Sequence, residues 1–141
     1  MLLEKEANHI RRLTLNIILL FVLAGCVPLD KGVHIQNDTK ADMKKAEEIF
    51  KADDRLTSTV AIFHEKEVIA GVSVKAFSKF RKPKIEKELK EKLEKEYKEF
   101  DITVSADSKA AYETVKLMEL EDKDKLKKKI KKLKSLLEEE T

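Results

Sequence analysis

One thiol and three imidazoles are the reactive side chains this 141-residue chain sets among its hydroxyls and carboxylates. Acid–base or nucleophilic catalysis needs such a group held beside a partner that moves its proton. His9 lies in the N-terminal segment, His34 in a stretch that reads as a tether, and His64 in the loop of an expected hairpin. No spacing places a nucleophile beside any of them. Ser73, Ser78, Ser105 and Ser108 lack a G-x-S-x-G frame, and glycine occurs only at 25, 32 and 71, so no phosphate-cradling loop of the usual form can be written. Asp53-Asp54, and Asp101 with Asp107, read as helix caps and solvated charges and lack the dense ligand spacing of a calcium loop. A lone cysteine forms no internal disulfide and no zinc pattern. The sequence therefore predicts no enzyme, no metal site and no cofactor, and its chemistry reduces to the fate of Cys26.

Cys26 follows the apolar run "LTLNIILLFVLA", Leu13–Ala24, which Arg11-Arg12 precedes and Gly25 closes. A basic flank, an apolar stretch of roughly ten residues and small residues at its exit make a secretory signal. A spanning helix needs ~20 apolar residues, and Pro28, Asp30 and Lys31 oppose extending the run that far. The competing readings are a core helix with an inert cysteine and an uncleaved anchor. The exit Leu23-Ala24-Gly25-Cys26 resembles the bacterial lipobox, and that resemblance implies diacylglycerol on the Cys26 sulfur followed by cleavage before it. Removing residues 1–25 deletes Lys5, Arg11 and Arg12 against Glu4 and Glu6, so the net charge of +3 falls by one. Two or three acyl chains anchor stably where one does not.

That near-neutral balance argues against nucleic-acid binding, which usually leaves a one-signed basic surface. It hides local excess. In "KLKKKIKKLKS", Lys127, Lys128, Lys129, Lys131 and Lys132 surround a stripe of Leu126, Ile130, Leu133 and Leu137. The run can adhere to anionic lipid, or it can be a solvated helix whose stripe docks on its own domain or a partner; an existing anchor favours docking. "KFRKPKIEK", Lys79–Lys87, reads as a solvated helix start.

Residues 26–39, with Pro28, Gly32, Asn37 and Asp38, read as a lipidated tether. Thr39 or Asp38 is expected to cap a first helix carrying Met43, Ala46, Ile49 and Phe50. Thr57–Phe63 and Val68–Phe77 read as a hairpin around "HEKE", with one buried face and one mostly wet. Pro83 opens a helix striped by Ile85, Leu89, Leu93 and Tyr97. Phe100–Ala106 alternates as a third strand, parallel to the second by the crossover rule. Asp107 or Ser108 then caps a helix with Ala111, Val115 and Met118. The expected fold is α+β: a small three-stranded mixed sheet covered by helices in αββαβ order, with a C-terminal charged helix.

The lipobox, the tether, "EVIAGVSVKAF" and "FDITVSADSKAAYETVKLM" together resemble the YhcN/YlaJ-type sporulation lipoproteins of spore-forming Bacilli, whose folded part is BON-like. The likeness covers the signal and residues 43–118. It implies a signal peptide at 1–25, a tether at 26–39 and a BON-like domain at 40–118; the Lys/Glu-rich C-terminal helix expected at 119–141 departs from that module. It further implies a non-enzymatic lipoprotein on the extracytoplasmic face of the cell membrane, most specifically the spore inner membrane, held by acylated Cys26 and supporting spore formation, germination or outgrowth through an envelope protein partner. The alternative is a general cell-envelope module touching anionic phospholipid or the cell-wall surface.

Overall fold

Val33 and Ile35 alternate with His34 and Gln36 between Gly32 and Asn37, and in the computed structural model, which describes residues 2–23 and 32–140, they form a strand. The chain divides into two units, residues 1–30 and 31–141. In the first, helix α1 spans Leu2–Leu23, with Leu3, Ile10 and Leu13 exposed and Thr14 Oγ1 bonded back to the carbonyls of Ile10 and Arg11.

The second unit is α+β. Strand β1, Gly32–Asn37, leads to α2, Lys44–Ala52; β2, Leu56–His64, and β3, Glu67–Val74, form a hairpin. A 3₁₀ turn, Ala76–Arg81, leads into α3, Lys82–Glu96; then come β4, Asp101–Ser105, α4, Ser108–Met118, and α5, Lys123–Glu139. The mixed sheet has the order β1-β2-β3-β4, with the outer pairs parallel and the central pair antiparallel. Four strands replace the expected three because residues 32–37 pair with Ser58–Phe63 instead of serving as tether. Two residues, Glu65-Lys66, close the hairpin, and Glu65 takes φ 53°, a left-handed conformation that costs a side-chain-bearing residue roughly 1–2 kcal/mol.

One face of the sheet carries Ala61, Phe63, Val68, Ala70, Val72, Ile102 and Val104. Helices α2 and α3 cover it with Ala46, Phe50, Ile85, Leu89 and Leu93, and each large side chain buried there contributes ~1.5–3 kcal/mol. Tyr97 closes this layer edge-on to Phe63 and Phe100. Its hydroxyl donates to the Asp42 carbonyl at 2.6 Å and accepts the Ala46 N–H at 3.0 Å, satisfying a first-turn amide of α2. Neither Thr39 nor Asp38 caps α2: Thr39 turns with Asn37, while the Asp38 carboxylate meets His64.

The opposite face is covered too, where a mostly wet one was expected. Ile62 and Ile69 pack with Leu117 of α4 and with Leu126 and Ile130 of α5. The buried stripe of α4 is Ala110, Thr114 and Leu117, one position off the expected one, because the Thr114 hydroxyl bonds the Ala110 carbonyl at 2.7 Å and so enters the core satisfied. Val115 is left largely exposed.

Contact between α4 and β3 is set by Gly71. A Cβ on Gly71 would lie 2.5 Å from the Ala111 Cα, which is backbone and cannot step aside without moving the helix. Gly71→Ala should therefore cost ~1–3 kcal/mol by overpacking. Urea denaturation checks it, and unchanged stability would mean that α4 is not seated on β3 as described.

Candidate functional site

Of the lipobox, Leu23 ends α1, while Ala24, Gly25 and Cys26 lie outside the described residues. The basic tail is described throughout. Helix α5 begins where the Asp122 carboxylate accepts the amides of Asp124 and Lys125, at 3.0 and 3.1 Å. Its stripe faces the sheet: Leu126 and Ile130 are buried, and Leu133 and Leu137 pack beside them. Those apolar side chains are therefore engaged within their own unit, leaving the lysines outward. Lys128, Lys129, Lys131 and Lys132 are exposed, and Lys127 reaches Glu65 at the hairpin tip at 2.8 Å. The hydrogen bond between that pair holds the Glu65 carboxyl below the usual carboxylate range and lifts the Lys127 ammonium above its ordinary value.

Between α4 and the second half of α5 runs a groove of about 370 Å³. Ala110, Leu117, Leu133, Leu136 and Leu137 line it, with Lys129 and Lys132 on one rim and Glu113 and Glu140 also at its edge. Such an apolar strip with charged margins suits side chains from another helix.

One lysine of the run behaves differently. Lys134 is only 5% exposed, and its ammonium contacts the Glu67 carboxylate, the Asp101 carboxylate at 3.1 Å and the Asp101 carbonyl at 2.8 Å. Glu67 and Asp101 are register partners at the starts of β3 and β4, so this one cation ties α5 across both strands. Helical periodicity marks position 134 as next to the apolar stripe, yet the residue type hid its burial.

His34 lies exposed on β1, and His64 is the buried last residue of β2; neither sits in a tether or a loop as expected. His64 Nδ1 is 3.2 Å from Asp38, joining the ends of β1 and β2, and His64 Nε2 is buried without a hydrogen-bond partner among the described residues. At the other end of the sheet, Arg55 links Asp53, at 2.7 Å, with Glu88 of α3, also at 2.7 Å, and its carbonyl accepts the Lys75 N–H. The hydrogen bonds from Arg55 hold the Asp53 carboxyl below its usual range although burial acts the other way, and Glu88 is lowered by the same guanidinium.

The residues whose setting sequence reasoning misassigned are Phe77 and Phe80. Expected as strand end and helix start, they are 98% and 96% exposed on the 3₁₀ turn, amid Lys75, Lys79, Arg81, Lys82 and Lys84. A usable signal was present: no acidic residue stands between Glu67 and Glu86.

Among the described residues no helix is long and apolar enough to cross a membrane. In comparison with known proteins, no family model, no curated protein and no solved structure matches the chain.

Two variants probe these contacts. Lys134→Met keeps the aliphatic stem but leaves the Glu67 carboxylate and the Asp101 carbonyl without their donor, and should cost ~1–3 kcal/mol with faster amide exchange in α5. A cost under about 0.5 kcal/mol would mean that the ammonium does not hold the helix, since surface changes fall in that range. Asp53 has a folded-state pKa below its unfolded value, so its contribution is complete above the unfolded value and lost as pH falls through the folded one. The stability gap between the native chain and Asp53→Asn should thus narrow as pH falls through and below the ordinary carboxylate range; urea titrations giving a constant gap there would refute the pairing.

Proposed function

We propose that the chain is a non-enzymatic lipoprotein, tethered by acylated Cys26 on the extracytoplasmic face of the cell membrane. The observation that carries this reading is the succession Arg11-Arg12, apolar run, Leu23-Ala24-Gly25-Cys26. The division of the chain supports it. Residues 31–141 form a unit of their own, whose buried apolar side chains among the described residues run from Ala46 to Ile130. We read α2 through β4, with its helix-strand-strand-helix-strand order, as a BON-like module extended by β1 and by the α4–α5 layer. By its resemblance to sporulation lipoproteins we place it in the spore envelope, at the inner membrane, supporting spore formation, germination or outgrowth through a protein partner. Lys128, Lys129, Lys131 and Lys132, with the groove beside them, are the surface it offers that partner.

Metabolic labelling with a fatty acid tests the anchor. Cys26→Ala should abolish the label and leave an unprocessed precursor, because Cys26 carries the only thiol in the chain. Label persisting on the variant would overturn the assignment. Fractionated spores should hold the native protein among inner-membrane lipoproteins, and its confinement to vegetative cells would instead favour a general envelope module.

A further inference from the structure

Two phenylalanines left almost wholly in solvent on a short, well-formed turn have no role in the core. A 3₁₀ helix has three residues per turn, so positions i and i+3 eclipse, and Phe77 and Phe80 project from the same side of the turn Ala76–Arg81. The turn is held at both ends: its leading residue Lys75 donates its amide to the Arg55 carbonyl at 2.8 Å, and its last residue runs into α3. The rings are thus presented by a fixed support.

Charge around them is one-signed. Lys75, Lys79, Arg81 and Lys82 form no ion pair among the described residues, and Lys84 reaches only Glu88, at 3.8 Å. Four acids at this end are engaged: Asp53 and Glu88 by Arg55, Glu86 by the Ala106 amide at 2.6 Å, and Asp107 as the cap of α4; Asp54 stands exposed next to Arg55.

Topology adds an independent observation. Gly32 at the start of β1 pairs with Ser58, which pairs with Ser73 near the end of β3, so the chain enters the sheet at the same end from which the turn leaves it. These positions are two strand spacings apart, ~10 Å. Covalent geometry limits the six residues from Cys26 to Gly32 to a reach of ~20 Å. An acyl group on Cys26 therefore holds this end of the sheet within ~20 Å of the bilayer, whereas the Glu65-Lys66 end carries no such bound.

We propose that the turn Ala76–Arg81 is a bilayer-contact element: Phe77 and Phe80 enter the interface of an anionic phospholipid membrane, and Lys75, Lys79, Arg81 and Lys82 meet its phosphates. The orientation rests on the lipid-anchor reading above and gives that anchored domain one face toward the membrane. Exposed aromatic rings with flanking bases are the combination that interfacial binding uses. An acidic protein partner is the competing occupant.

The chain contains no tryptophan, so Phe77→Trp, Phe80→Trp and, at the opposite end of the sheet, Lys98→Trp each introduce a single reporter. The full-length acylated proteins are reconstituted in vesicles of phosphatidylglycerol and brominated phosphatidylcholine, and in vesicles of brominated phosphatidylcholine alone. Indole at 77 and 80 should be quenched and blue-shifted in the anionic vesicles, and less so in the neutral ones or at high salt, while indole at 98 stays unquenched. Lys79→Ser and Arg81→Ser, each added to Phe77→Trp, should shift the equilibrium away from the docked orientation by on the order of five-fold per base, equivalent to ~1 kcal/mol. Equal quenching at all three positions, or none at 77 and 80, overturns the proposal, and equal quenching in neutral vesicles overturns the role of the bases. Fatty-acid labelling of the same preparations keeps the two readings apart. Labelled protein with unquenched indole at 77 and 80 refutes the contact and leaves the anchor, whereas quenched indole on unlabelled protein refutes the anchor and leaves the contact.

Discussion

Apolar side chains at consecutive positions of one hairpin impose the rest of this structure. Side chains alternate faces along a strand, so Ile62 beside Phe63, and Ile69 beside Val68, point in opposite directions and each needs cover. A sheet with both faces apolar cannot be served by one helical layer. Helices α2 and α3 take one face; α4 and α5 take the other. The second layer is constrained more tightly, because α4 meets Gly71 at backbone distance and α5 must bring Lys134 over the ends of β3 and β4. Its covering helices are thus fixed by one missing side chain and one buried charge.

Lys134 and, at the other end of the sheet, Arg55 illustrate how charge operates in a chain so rich in it. Pairs such as Lys45–Glu48, Lys90–Glu94 and Lys66–Glu99 are largely solvent-exposed, and contacts of that kind contribute little. Arg55 and Lys134 differ because each is partly or wholly shielded from water and ties separate elements together, Lys134 through the strand residues Glu67 and Asp101. Arg55 joins α3 to the turn before β2 with a bidentate grip on Asp53, a geometry that a lysine does not reproduce. Lys134 holds two neighbouring strands through a single point charge. The Lys/Glu bias of the sequence supplies solvation almost everywhere and structure at these two places.

The legible parts of the sequence were those where one signal decides. The α3 stripe Ile85, Leu89, Leu93, Tyr97, the proline at its start, the parallel placement of β4 and the α5 stripe all follow from period and punctuation. β1 was not legible, since only Val33 and Ile35 alternate within a segment crowded with Pro28, Gly32, Asn37 and Asp38. The hairpin turn was misjudged in length because Glu65-Lys66 lacks the glycine or asparagine that usually accepts a positive φ. The second face looked wet because Gly71 and Ser73 flank Ile69, and a helix with small residues facing Gly71 leaves no apolar trace in sequence. Phe77 fitted the alternation of β3 too well for its exposure to be foreseen; the strand stops at Val74, where Lys75 turns toward Arg55.

The two ends of the sheet have opposite electrostatic character. At the hairpin end, Glu65 meets Lys127, Glu67 and Asp101 meet Lys134, and Glu99 meets Lys66, so acids contributed by the strands and turns find cations there. At the other end, Asp53 and Glu88 are engaged by Arg55, Glu86 by the Ala106 amide and Asp107 by the α4 cap, Asp54 stands exposed, and the turn adds bases with no acid between them. A net charge of +3 therefore conceals a polarised domain. The strand register that buries the core also sets this polarity, because it brings the first residue of β1 and the last residues of β3 to one end. Under the lipid-anchor proposal, attachment of the chain ahead of Gly32 brings the basic, aromatic end near the anchoring surface, since the parallel pairing of β1 with β2 determines which end of the sheet the chain enters.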